Sequence, residues 1–290
     1  MAKKALIVGI NAYPTAPLRG CVNDANMVSE MLTKYFGFST KEKRMLTDAS
    51  ATTANIIQRL HWLVDGAKPG DTLFFHFSGH GSQMIDSKYD SDDEPDGLDE
   101  ILCPVDLDWR EKVITDDTLK AIFGKVPAGV HLTVLADCCH SGTMLDQANQ
   151  YQPLGAGEAR EFGPDSPNRS RHLPMPADIA NRGMGLDLAP RKLPVARDVN
   201  NTGMLITGCQ SQQTSADAWI SNMYCGAATY SLISTLERHD YNISYKQLVE
   251  EMNQFMVTNR FSQRPELNGN GALFEEVFLG GKKHQGRPKK

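Results

Sequence analysis

Two short runs of residues could perform covalent chemistry on a substrate. Ser78-Gly79-His80-Gly81-Ser82 sets an imidazole between two glycines, and Asp137-Cys138-Cys139-His140-Ser141-Gly142 carries a pair of thiols. Glycine has no side chain to shield its neighbours, so backbone can come close to whatever His80 touches. A thiol is a strong nucleophile only as thiolate, and a nearby imidazole can take its proton and stabilise the anion. The two runs suit a Cys/His dyad. The competing reading of the same residues is a thiol redox centre, or a metal site made from His80, Cys138, Cys139 and His140.

The elements around these runs argue for the dyad. Ala5–Ile10, Thr72–Phe77, Val130–Ala136 and Met204–Thr207 are short apolar runs of the kind that form buried strands. Helical spacing of apolar residues spans about Val22 to Tyr35, Thr52 to Asp65, Gly226 to Leu236 and Tyr245 to Val257, and Thr115-Asp116-Asp117 reads as an N-cap before a helix through about Phe123. Phe274 to Leu279 reads as the last strand. This order predicts an α/β sandwich with a central, mostly parallel sheet. In such sheets ligands bind beyond the carboxyl ends of the strands, which is where both reactive runs fall. Strand alternation puts Asp137 and Cys139 on one face and Cys138 on the other, so Cys139 is the candidate nucleophile and Cys138 a buried small residue. By the same parity His76, Ser78 and His80 point one way. His61, His76 and His131 fall within regular elements and read as packing residues.

Composition removes several other functions. The 290 residues carry a net charge of −5, so no broad basic surface invites nucleic acid. No apolar run nears the roughly 18 residues of a membrane span, and Met1-Ala2-Lys3-Lys4 leads straight into a strand without a secretory h-region. The six scattered cysteines form no CxxC pair; a reduced, cytoplasmic protein is expected. One domain is expected, with a long flexible loop over 148–200 and a basic, disordered tail over 280–290. The loop holds seven of the 15 prolines together with Arg160, Arg169, Arg171, Arg182, Arg191, Lys192 and Arg197. A mobile, arginine-rich loop that begins nine residues after Cys139 keeps its backbone within reach of that thiol, open to self-cleavage if the thiol acts on peptide bonds. Eight acids lie within Asp86–Glu100, but the position where an EF-hand needs glutamate is Cys103.

Taken together, the two runs resemble those of metacaspases, the caspase-like cysteine peptidases. The resemblance continues through Gly20-Cys21-Val22-Asn23-Asp24, Asp96-Gly97-Leu98-Asp99-Glu100, Pro104-Val105-Asp106, Ile114-Thr115-Asp116-Asp117 and the segment from Gly208 to Asp217. It implies a caspase-like fold in a prokaryotic-style, type I-like catalytic unit without a prodomain. It further implies His80 as base, Cys139 as nucleophile, and the N–H groups of Gly81 and Cys139 as the oxyanion hole. Cys21, Asp24, Ser78 and Asp137 match the pocket for the residue before the scissile bond, and two carboxylates there would select arginine or lysine. Asp99, Asp116, Asp117 and Asp146 match an activating calcium site. The expected protein is thus a monomeric, calcium-stimulated cysteine endopeptidase acting on protein or peptide substrates with Arg or Lys before the cut bond. The alternative from another class is a silent scaffold of the same fold that binds partners.

Overall fold

The computed structural model describes residues 1–85, 98–139, 169–180, 203–210 and 213–281. The first half contains β1 (Lys3–Gly9), α1 (Cys21–Phe36), β2 (Lys43–Thr47), α2 (Thr53–Val64), β3 (Thr72–Ser78), β4 (Gly81–Ile85), β5 (Leu98–Leu102), β6 (Ile114–Thr115), α3 (Asp116–Phe123) and β7 (His131–Asp137). The second contains β8 (Arg169–Ser170), α4 (Ala177–Ala180), β9 (Gly203–Thr207), β10 (Ala216–Ile220), β11 (Met223–Gly226), α5 (Ala227–Arg238), α6 (Tyr245–Thr258) and β12 (Glu266–Gly269).

The central sheet runs β12-β9-β7-β3-β1-β2 and is parallel except for β12, which pairs antiparallel with β9 at one edge. Side-chain alternation divides the core into two layers. Leu6, Val8, Phe75, Phe77, Val134 and Ala136 face α2 and α3, where Ile56, Leu60, Leu63, Ile122 and Phe123 meet them. Ala5, Ile7, Phe74, Leu135 and Ile206 face the other way, against Ala25, Val28 and Leu32 of α1, Leu232 of α5 and Leu248 and Met252 of α6. Both faces of β1, β3, β7 and β9 are therefore covered, as an apolar run without alternation requires. Two small antiparallel sheets, β11-β10-β8 and β4-β5-β6, complete the sandwich. No helix among the described residues is long and apolar enough to cross a membrane.

Local signals account for the helix ends. The Thr52, Thr115 and Ser244 hydroxyls each accept a backbone N–H of the first turn that follows, of Asn55, Thr118 and Gln247 respectively. Gly37 closes α1 in the left-handed region at φ 71°, where a side chain would be strained. Gly9 is required for a different reason: a Cβ there would sit inside the contact radius of the Cys21 carbonyl oxygen, at the start of α1.

Three expectations need correction. Phe274–Leu279 is not a strand. Phe278 and Leu279 are buried, but they cap the sheet from a 3-10 turn, while the last strand lies earlier at Glu266–Gly269. Its burial came from aromatic packing of Phe278 on Phe36, Phe74 and Tyr245, not from strand pairing. The 148–200 loop is not uniformly without structure: residues 169–180 form β8, a turn and α4. Of the three histidines expected to pack, only His76 is buried; His61 and His131 are exposed. The basic tail over 282–290 lies outside the described residues.

The close approach of β1 to α1 gives a stability test. Gly9→Ala would push the start of α1 away from the sheet and should cost about 1–3 kcal/mol. Urea unfolding should show a lower midpoint with an unchanged slope; an unchanged midpoint would mean that the spacing there is not set by Gly9.

Candidate active site

β3 and β7 are neighbours with Ser78 opposite Asp137, so the two reactive runs leave the sheet side by side. Alternation then sorts their side chains as parity requires. His76, Ser78 and Asp137 lie on the α1/α5 side, whereas Cys138 belongs to the opposite apolar layer. Gly81 touches the Cys139 backbone so closely that a Cβ would collide with the Cys139 carbonyl oxygen. Only glycine admits the two runs to this distance.

His80 is buried, with its ring 4.5 Å from that of Tyr13. The Tyr13 hydroxyl accepts the His80 backbone N–H at 3.0 Å and donates to the Cys103 carbonyl at 2.8 Å. His80 Nε2 is 2.7 Å from the Ala16 carbonyl oxygen, which can only accept, so Nε2 carries the proton and Nδ1 presents its lone pair. Nδ1 is buried and has no hydrogen-bond partner among the described residues. Burial holds the imidazole pKa below its ordinary value, opposed chiefly by the Ala16 carbonyl, so the ring is neutral near neutral pH. Cys139 is buried beside Ser215, whose N–H reaches Sγ at 2.5 Å. The Ala16 carbonyl carried no signal in the sequence, because a backbone acceptor can come from any residue type.

Beside the dyad lies a pocket of three carboxylates, already filled. Arg171, from the loop, is fully buried in it. Its Nη2 lies 2.8 Å from Asp24 Oδ2 and 3.1 Å from Asp217 Oδ1, and its Nη1 lies 3.3 Å from Asp137 Oδ1 and 2.8 Å from Ser78 Oγ. Cys21 opens α1 at the same place and is also fully buried. All four pocket residues expected from the sequence are thus brought together. Asp217 was missed as a pocket residue, although it closes one of the matching segments.

The carboxylates are held by N–H groups at the starts of two helices. Asp217 accepts the N–H groups of Arg19 and Gly20, which lead into α1, at 2.8 and 2.9 Å. Asp24 accepts Gly226 N–H at 2.9 Å, and Asp137 accepts Thr229 N–H at 2.8 Å, both at the start of α5. Asp137 also receives the hydroxyls of Ser215 and Thr229, at 2.6 and 2.7 Å. Positive helix ends and hydroxyl donors offset part of the repulsion among three buried anions. Burial would raise Asp137, but Arg171 and these donors outweigh it and leave its pKa below the usual range. Asp24 has less support, and burial wins there: its pKa is pushed up to about 6 even with Arg171 beside it.

The backbone around Arg171 is held as a strand across the site. β8 pairs antiparallel with β10, Ser170 opposite Ala216, and Arg171 N–H continues the ladder to the Ser215 carbonyl at 3.0 Å. The Arg171 carbonyl oxygen accepts Gly81 N–H at 2.9 Å and Cys139 N–H at 3.4 Å. These are the two donors expected to stabilise an oxyanion.

The acids expected to hold calcium are only partly gathered. Asp116 and Asp117 open α3, which packs on β5, the strand of Asp99. Lys120 Nζ lies 2.9 Å from Asp116 Oδ2 and 3.5 Å from Asp117 Oδ1. Asp116 Oδ1 is buried with no hydrogen-bond partner, an oxygen donor suited to a hard cation. Among the described residues no three His, Cys, Asp or Glu side chains are arranged to hold a metal ion, and Asp146 lies outside them.

Comparison with known proteins agrees with this geometry. Residues 3–148 match the family description "Metacaspase, peptidase C14 domain". A protein named Metacaspase-1 from Pyricularia oryzae is 32% identical over 94% of this chain and 73% of its own length. Metacaspase-1B from Neurospora crassa is 34% identical over 91% of this chain and 66% of its own length. Among solved structures, a protein from Geobacter sulfurreducens shares 26% identity with a TM-score of 0.68, covering 97% of this chain and 99% of its own. Caspase-1 from Spodoptera frugiperda, at 12% identity and a TM-score of 0.54 over 98% of this chain and 92% of its own, shares the fold. The chain belongs to the metacaspase family of cysteine peptidases.

Proposed function

We propose that this metacaspase cleaves peptide bonds after arginine or lysine, that Cys139 and His80 carry the reaction, and that its first substrate is its own Arg171–His172 bond. The observation that carries the reading is the seating of Arg171, with its guanidinium among Asp24, Asp137 and Asp217 and its carbonyl on the N–H groups of Gly81 and Cys139. A pocket that buries a guanidinium on carboxylates would pay heavily to bury an aspartate side chain instead.

The proposed chemistry uses the seated carbonyl, with the Cys139 thiol turned from Ser215 toward His80 Nδ1. His80 Nδ1 takes the Cys139 thiol proton, and the Ala16 carbonyl steadies the resulting imidazolium through Nε2–H. The thiolate adds to the carbonyl carbon of the arginine, and the oxygen, gaining negative charge, draws closer to Gly81 N–H and Cys139 N–H. As the C–N bond breaks, His80 returns the proton to the departing amine. Water, deprotonated by His80, then cleaves the thioester and regenerates the thiol. A silent scaffold would have no need of a neutral histidine whose Nδ1 is buried and unengaged.

Calcium, when bound, would supply positive charge to Asp99, Asp116, Asp117 and Asp146. The unpartnered Asp116 Oδ1 fits such a ligand, and Lys120 occupies the neighbouring oxygens until a cation competes for them. All six cysteines are buried outside any disulfide, in keeping with a reducing cytoplasm. We take the working unit to be a monomer.

Three outcomes are expected. Purified wild type should cut itself to give a fragment beginning at His172, read by mass spectrometry; Cys138→Ala should do the same, and Cys139→Ala and Arg171→Ala should not. Cleavage at another basic residue in the wild type, with Arg171–His172 intact, would overturn the assignment of the bond. Second, the Asp24 carboxyl, pushed up to about 6 beside Arg171, rises further once the guanidinium leaves, so KM for an arginine peptide should rise as pH falls toward about 6, and Asp24→Asn should have a high KM without that rise. A wild-type KM that is flat between about pH 5 and about pH 7.5 would contradict this. Third, calcium should increase activity and bind by calorimetry, and Asp116→Asn should lose both responses while keeping basal cleavage; unchanged calcium binding would exclude Asp116 as a ligand.

A further inference from the structure

Beyond the arginine, the seated segment stays in the cleft. Gly81 donates its N–H to the Arg171 carbonyl, and its own carbonyl accepts Leu173 N–H at 3.0 Å. His172 and Gly81 thus form a parallel β-bridge, and one residue grips the chain on both sides of the Arg171–His172 bond. The half-buried Leu173 side chain then packs on the apolar layer to which Ile101, Leu102 and Cys103 belong. Farther on, α4 lies against β4 with Ile179 buried. Pro174 by contrast is exposed. The departing side of the cleft therefore half-buries both His172 and Leu173, and at the second position after the cut it packs the side chain on an apolar layer.

Resting on the arginine reading of the site, we propose a second specificity pocket: the enzyme favours substrates with a bulky aliphatic residue two positions after the cleaved bond, held by the Gly81 carbonyl and that apolar layer. The bend of the seated strand bears on this. Arg171 and Leu173 lie two apart and would share a face of a regular strand, yet one enters the carboxylate pocket and the other packs on the apolar layer, with the chain bent at Arg171 between its antiparallel pairing with β10 and its parallel bridge to Gly81. Gly81 then has two tasks that no side chain could share, since its Cβ would strike Cys139. Substrates that end in a small leaving group directly after arginine lose the second grip.

The test uses self-processed wild type and internally quenched peptides with the sequence Arg-Ser-Arg-His-Xaa, where Xaa is leucine, glycine or aspartate. Burying a leucine side chain should raise kcat/KM about tenfold or more over glycine, with aspartate lower still. N-methylation of the leucine amide, which removes the bond to the Gly81 carbonyl, should also slow cleavage. In the chain itself, Leu173→Asp should slow the appearance of the His172 fragment, whereas Leu173→Met should not; far-ultraviolet circular dichroism confirms that both fold. Equal rates for the three peptides and for both variants would remove the second pocket and leave the arginine reading standing. No cleavage of any arginine peptide would overturn that reading, and the second pocket with it.

Discussion

A guanidinium enclosed by three carboxylates, away from water, is the interaction around which this molecule is arranged. Arg171, Asp24, Asp137 and Asp217 are all buried. Each charge would be costly alone, and loss of one member of such a set typically costs about 3–5 kcal/mol. The surroundings are arranged accordingly. Asp24 projects from the first turn of α1, Asp137 ends β7, and Asp217 lies on β10, so the pocket exists only when a helix, the central sheet and a small sheet meet. Backbone N–H groups at the starts of α1 and α5 point into it. With the arginine withdrawn, three carboxyls would share one cavity, and Asp24, pushed up to about 6 even beside Arg171, would rise further toward its protonated form.

The parallel sheet supplies the other half of the design. Because β3 and β7 pair in register, their carboxyl ends bring a histidine and a cysteine from distant parts of the chain to one edge. The glycines beyond β3 let the two backbones touch, and this contact aligns Gly81 N–H and Cys139 N–H on a common carbonyl oxygen. His80 is fixed from behind by Tyr13 and Ala16, both in the segment between β1 and α1. The site is thus built from backbone geometry as much as from side chains. Its histidine stays neutral because it is buried, and its proton position is set by a carbonyl rather than by a third acid.

Much of this was legible in the sequence where a short apolar run implies a buried strand and the strand's end implies a site. The boundaries of α1, α2, α3 and α6 followed from periodicity, with Thr115 as the cap of α3. Strand parity separated Cys138 from Cys139. What was not legible depends on pairing between distant segments. Short strands such as β6 and β8 have too few residues to show a period, and Phe274–Leu279 mimics a strand because its buried aromatic residues pack from a turn. Arg171 is one of seven basic residues in the loop, and nothing in its neighbours distinguishes it; only the fold brings it to Asp24. Asp217 stood within a matching segment, but its role depends on β10 reaching the start of α1. The acids at Asp99, Asp116 and Asp117 were visible as residues, while their distances from one another were not.

The account stands or falls on the seating of Arg171. A crystal structure of the Cys139→Ala chain, which cannot cut itself, measures that directly. The Arg171 guanidinium should be found within hydrogen-bond reach of Asp24, Asp137 and Asp217, with its carbonyl oxygen on Gly81 N–H and an uncut bond to His172. A pocket holding water alone, or another basic residue of the chain, would contradict the account at its centre.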